Sequence, residues 1–165
     1  MALLPILTAP DPRLKKISAP VKQVDAGVRK LMDDMLETMY QAPGIGLAAP
    51  QVGVLKRVIV LDLAREGEEP QPLRLANPEV VWVSDEDTIY NEGCLSVPEH
   101  YADVTRPNAC RVTYLNHENK PQEIAAEGLL ATCLQHEIDH LTSLKRNIIL
   151  RKLLKAKKAA ADAAM

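Results

Sequence analysis

The chain contains no phenylalanine, one tryptophan and four tyrosines among its 165 residues. A hydrophobic core made from it must therefore rest on Leu, Val, Ile, Ala and Met. No apolar run approaches the roughly 20 residues that a bilayer-spanning helix needs, which excludes an integral membrane protein. The segment from Met1 to Pro12 lacks a basic start and is broken by Pro5, Pro10 and Pro12, so a signal peptide is not expected. Only three cysteines occur, Cys94, Cys110 and Cys133, and they are widely spaced. They are too few for a secreted disulfide scaffold and read as reduced thiols of a cytoplasmic protein. Internal repeats and dividing linkers are absent as well, so the expectation is one domain over residues 1–165.

What is present is an ordinary soluble balance, 47% apolar and 25% charged. A domain of this length buries roughly 70% of its unfolded surface and needs no staples. The net charge of −2 hides an asymmetry. Seven of the 20 basic residues lie between Lys145 and Lys158, where no acidic residue occurs, leaving 13 basic against 22 acidic residues elsewhere. A basic tail over about 144–165 on an acidic body suits a polyanionic partner; its other reading is a solvated helix end.

Helical spacing of Val28, Leu31, Met32, Met35, Leu36 and Met39, with Asp25 as N-cap, predicts a helix from Asp25 to Tyr40 whose Met stripe faces a core. Pro43, Gly44 and Gly46 end it and open a loop. The segments 57–63, 75–83, 87–90 and 110–115 read as strands, and the turn 116–120 leads into a further strand through Ile124. Helical periodicity returns from Glu127 to Leu141 and again from Leu144 to Ala164. Helix, strands, then helix predicts an α+β fold: one domain of antiparallel strands packed around a central helix, with a C-terminal helix behind it.

That central helix carries His136-Glu137-Ile138-Asp139-His140. Residues four apart share a helix face, so both imidazoles can reach one metal ion, while Glu137 sits beside that face without ligating. A catalytic site of this kind takes three protein ligands and keeps one position open. Leu141 to Met165 contains no His, Cys or Glu, so the third ligand is sought upstream. Cys94, in Asn91-Glu92-Gly93-Cys94-Leu95-Ser96, is the best candidate, whereas Cys110 and Cys133 read as buried apolar thiols. A third segment, Gly44-Ile45-Gly46-Leu47-Ala48-Ala49-Pro50-Gln51, is no dinucleotide loop, since no strand precedes it and no third glycine follows at the required spacing. Its small residues let a substrate backbone approach, and Gln51 offers an amide donor.

These three segments, in this order and spacing, resemble the three signature motifs of the peptide deformylase family, and the similarity extends from Asp11-Pro12-Arg13-Leu14 to His140. The resemblance implies an enzyme that hydrolyses the N-terminal formyl group from formyl-methionyl nascent peptides. It implies Cys94, His136 and His140 as metal ligands and Glu137 as general acid/base, with Gln51 and the Leu95 N–H holding the oxyanion. It also implies Fe(II) as the cellular metal, replaceable by Zn, Ni or Co. For the substrate it implies a hydrophobic pocket beside the His helix, walled by Ile45, Cys133 and Leu134, with Gly46 bonding the peptide backbone. Arg106 either positions the peptide or serves as a structural partner, for instance of Asp139. The partners implied are nascent peptides and the ribosome, the latter through the basic C-terminal helix, with no membrane or DNA partner and a monomeric state. Relatives continue past the second histidine with Leu-x-Gly-x-Leu-Phe-Ile-Asp; here Leu141 runs into Thr142-Ser143-Leu144-Lys145. The loss implies that Leu141 to Leu154 continue the metal helix and that the pocket wall changes. The alternative that follows from it is a deformylase-like metal- or ribosome-binding protein without turnover.

Overall fold

A computed structural model describes residues 2–142 and 147–163. In chain order the elements are α1 (Ala26–Gln41), β1 (Gly46–Ala48), β2 (Val58–Leu61), β3 (Leu73–Val83), β4 (Asp87–Cys94), β5 (Val97–Pro107), β6 (Ala109–Leu115), β7 (Pro121–Glu127), α2 (Gly128–Asp139) and α3 (Ile148–Ala163). Every residue of β2 is buried, although a strand points its side chains alternately to opposite faces. The sheet must therefore be covered on both sides. Val58 and Val60 pack with Val28, Met32, Met35 and Met39 of α1, while Ile59 and Leu61 pack with Ala131, Leu134 and Ile138 of α2. The methionine stripe is thus core, as its spacing predicts, and the histidine helix lies against the opposite face.

That sheet is antiparallel throughout, in the order β1-β2-β3-β6-β7. β4 and β5 form a separate two-stranded ribbon. Its buried residues Val97 and Val104 meet Ile149, Leu150 and Leu153 of α3, so the C-terminal helix braces the ribbon from behind. α1 begins where the Asp25 carboxylate accepts the Val28 N–H at 2.9 Å. It closes where Gly44 N–H donates to the Met39 carbonyl at 2.7 Å.

Three expectations change. The segment after Gly44 is not all loop: Gly46–Ala48 pairs with Ile59–Leu61 as an edge strand. The long strand β5 was not expected, because Pro98 and Pro107 punctuate it and much of it is exposed, as befits a two-stranded ribbon. Nor does the metal helix continue to Leu154. It ends at Asp139, the Leu141 carbonyl accepts the Ser18 N–H at 3.0 Å, and a new helix starts at Ile148. Of the basic tail, Lys145 and Arg146 lie outside the described residues.

Candidate metal centre and cleft

One turn of α2 separates His136 from His140, and their Nε2 atoms stand 3.3 Å apart. Cys94 arrives from the ribbon at the irregularity that ends β4, with Sγ 3.4 Å from His140 Nε2. These three donor atoms all lie within 4.8 Å of one another. The structure thus brings together three residues that the sequence scatters over 46 positions.

Each donor is held from behind. The Glu92 carboxylate accepts from His136 Nδ1 at 2.8 Å, which directs the ring's Nε2 lone pair toward the cluster. Arg106 grips Glu92 with two bonds, Nε to Oε2 at 2.8 Å and Nη2 to Oε1 at 3.1 Å, and donates from Nη1 to Asp139 at 2.7 Å. Gln51 Nε2 donates to Cys94 Sγ at 3.3 Å and to Ser96 Oγ at 3.1 Å, while its Oε1 accepts the Ala48 N–H. The side chain of Asn147 meets His140 Nδ1 at 3.1 Å.

The electrostatics follow from burial and these partners. Burial pushes the Cys94 thiol up, but His140 and His136 outweigh it and hold the group well below the usual thiol range, as a thiolate. Burial likewise opposes charge on Glu92, yet His136 and Arg106 keep it ionised. Glu137 goes the other way: burial raises it, and the two histidines offset this only in part. Among the described residues, Glu137 Oε2 is buried without any hydrogen-bond partner. A thiolate, two imidazoles with occupied outer nitrogens and an orphaned carboxylate oxygen beside them fit a first-row dication with room for a reacting group.

A cleft of about 710 Å³ opens from this cluster between the 42–46 segment, the ribbon and the first turns of α2. Gly46, Ile45, Gln51, Leu95, Cys133 and Glu137 all line it. Burial raises the Cys133 thiol to about 12, so it serves as an uncharged wall. Leu134, expected in the wall, lies elsewhere, and of the two readings of Arg106 the structural pairing with Asp139 is the one found. Leu134 points into the core with Ile59 and Leu75, because the cleft takes only the face of α2 that carries Cys133 and His136. Arg106 is committed to Glu92 and Asp139 and is 4% exposed, so it does not reach the cleft.

Sequence reasoning assigned no role to Glu92, Ser96 or Asn147. For Glu92 a partial signal was available: residues two apart on a regular strand share a face, although the register shift between Gly93 and Cys94 means that alternation alone does not aim Cys94.

The sequence pattern of the polypeptide deformylase family matches residues 3–147. The chain belongs to that family. A peptide deformylase of Rhizobium meliloti (strain 1021) is 54% identical over 167 residues, 96% of each chain. One from Phenylobacterium zucineum (strain HLK1) is 56% identical, over 97% of this chain and all of the relative. Among solved structures, the peptide deformylase of Ehrlichia chaffeensis superposes with a TM-score of 0.81 at 40% identity, covering 97% of this chain and 99% of its own. That of Synechococcus elongatus in complex with actinonin gives a TM-score of 0.83 over 94% of this chain and 88% of its own. The deformylase family is one of metal-dependent hydrolases that remove the formyl group from N-formyl-methionyl peptides, and this chain is such an enzyme. The alternative of a binding protein without turnover draws no support from these relatives. Among the described residues no helix is long and apolar enough to cross a membrane.

Proposed function

We propose that Cys94 Sγ, His136 Nε2 and His140 Nε2 hold the metal and that Glu137 moves the proton in formyl-methionine deformylation. The observation carrying this is the close approach of the three donors at the head of the cleft, with the unpartnered Glu137 Oε2 beside them. When bound, the ion supplies Lewis acidity that polarises the formyl carbonyl and makes a water nucleophilic near neutral pH. The Glu137 carboxylate takes the water's proton and passes it to the peptide nitrogen as the carbon–nitrogen bond breaks, releasing formate and a free amine. Gln51 and the Leu95 N–H are the donors for the negative charge that grows on the formyl oxygen. The Ser96 Oγ and Ala48 N–H contacts hold the Gln51 amide in place, with its second N–H directed at the Cys94 side of the cleft. Elsewhere the loss of one such donor costs on the order of 10² to 10³ in turnover.

The methionine side chain lies against Ile45 and Cys133, and Gly46 offers its backbone to the peptide. Fe(II) suits one thiolate with two imidazoles, and Zn, Ni or Co can replace it. The protein works as a cytoplasmic monomer. The exposed basic residues of α3, among them Arg151, Lys155 and Lys158, support contact with ribosomal RNA phosphates, which salt would weaken steeply. Charge reversal at those three positions tests that contact without removing the buried Ile149, Leu150 and Leu153; unchanged ribosome binding would contradict it.

Metal stoichiometry tests the ligand set. The parent and Glu137→Ala should each hold one ion per chain, and Cys94→Ala, His136→Ala and His140→Ala should each fail to. Full retention in any of those three removes that residue from the set.

A further inference from the structure

Asn147 is the first described residue after Thr142 and is completely buried. A buried side-chain amide must satisfy both ends, and this one does so between two elements. Its Oδ1 accepts the Leu150 N–H at 3.0 Å, which makes it the N-cap of α3. Its Nδ2 lies 3.1 Å from Nδ1 of His140, itself 1% exposed. No other side chain among the described residues bonds that nitrogen. His136 has the corresponding support from Glu92, itself clamped by Arg106. The outer nitrogen of His140 is thus tied to the start of the C-terminal helix.

We propose that Asn147 is a positioning residue for His140, fixing its ring so that Nε2 faces Cys94 Sγ and His136 Nε2. This rests on the reading of His140 as a metal ligand. An amide suits the task better than a hydroxyl of shorter reach. For Nε2 to ligate, Nδ1 must carry the ring proton; Oδ1 has two lone pairs, so a small turn of the amide lets it accept that proton while it still caps the Leu150 N–H. Because α3 packs on the ribbon through Ile149, Leu150 and Leu153, the same side chain links the seating of α3 to the geometry of the metal site. Direct passage from Leu141 into the basic tail brings Asn147 to within seven residues of His140.

The experiment separates the cap from the reach to His140. Serine caps a helix about as well as asparagine but is too short to meet the ring. Aspartate caps and can only accept, which fixes the proton on Nδ1 and leaves Nε2 free. Co(II) affinity is measured by competition with a chelator, alongside the melting temperature of the metal-free protein. Outer partners of this kind are worth about 10- to 100-fold in metal affinity. Asn147→Ser should melt close to the parent and bind Co(II) about 10- to 100-fold more weakly, and Asn147→Asp should bind at least as tightly as the parent. Parent-like affinity in a folded Asn147→Ser protein would overturn the proposal. Should the serine variant fail to fold, a folded Asn147→Asp protein with affinity tenfold below the parent would overturn it as well. His140→Ala serves as the reference. If it keeps parent affinity, the ligand reading itself fails, and the proposal for Asn147 falls with it.

Discussion

Gly46 lies directly against Glu137: a Cβ placed on the glycine would come to 3.0 Å from Cγ, Cδ and Oε2 of the glutamate. The edge strand β1 therefore forms the floor on which the Glu137 carboxylate, the proposed proton carrier, rests, and the absence of a side chain there is what lets it rest at the cleft. Gly46→Ala should displace Glu137 while leaving Cys94, His136 and His140 in place. Misplacing a reacting group by about 1 Å costs on the order of 10²-fold. The expected outcome is a kcat loss of that order with one metal ion still bound per chain. Retention of full kcat would show that the contact is slack.

Arg106 holds two carboxylates, the buried Glu92 and the half-buried Asp139. Arg106→Met leaves Asp139 without its guanidinium and Glu92 with His136 alone, and breaking a buried pair such as Arg106–Glu92 from one side costs about 3–5 kcal/mol. Urea denaturation of the metal-free protein should show a loss in that range. Arg106→Lys should recover only part of it, since an ammonium cannot reproduce the two-pronged contact with Glu92.

The cleft and the core make opposite demands on two leucine-sized residues. Ile45 is 45% exposed and lines the cleft, whereas Leu134 is fully buried under the sheet. Ile45→Ala should raise KM for a formyl-Met peptide with little change in melting temperature. Leu134→Ala should cost about 2–5 kcal/mol of stability with KM nearly unchanged. Reversal of the two patterns would place the methionine pocket on the other face of α2.

Acid stability should depend on Asp62, which follows β2 and anchors the cleft rim by donating its N–H to the Ile45 carbonyl at 2.9 Å. Burial pushes its carboxyl up, but bonds from Tyr40 Oη at 2.5 Å and from the Ala64 and Gln71 N–H groups outweigh this and hold its pKa below the usual value. A depressed folded pKa contributes stability that is present above the unfolded value, about 4, and lost as pH falls through the folded one. Tyr40→Phe should therefore cost about 1.5–3 kcal/mol near neutral pH, and the difference from the parent should shrink in acid. The Tyr40 phenol, raised to about 12 by burial and by Asp62, stays neutral throughout that range. Equal acid sensitivity of parent and variant by denaturant titration would contradict this account.

Much of this was legible before the fold was known. Repeating apolar positions and a side-chain cap were enough to find α1, and the four-residue spacing of His136 and His140 was enough to predict that their imidazoles converge. The ribbon was harder. β5 owes its place to pairing with β4 and to cover from α3, neither of which leaves a periodic trace between Pro98 and Pro107. Arg106 could be matched to Asp139 by charge, but its grip on Glu92 depends on Glu92 and Arg106 lying on neighbouring strands of that ribbon. Leu134 was misplaced because α2 is apolar on two faces, one for the core and one for the cleft, and spacing alone does not distinguish them. Asn147 left no trace at all, since its partner is set by how α3 returns to the metal helix.

Formate release from a short formyl-Met peptide tests the central claim most directly. The protein would be prepared without oxygen, loaded with Fe(II) or Ni(II), and compared with its metal-free form and with Glu137→Ala. The account predicts release that requires the metal and falls by about 10² or more in the variant, while the variant keeps its ion. Release that persists at the parent rate in Glu137→Ala, or without any metal, would contradict it.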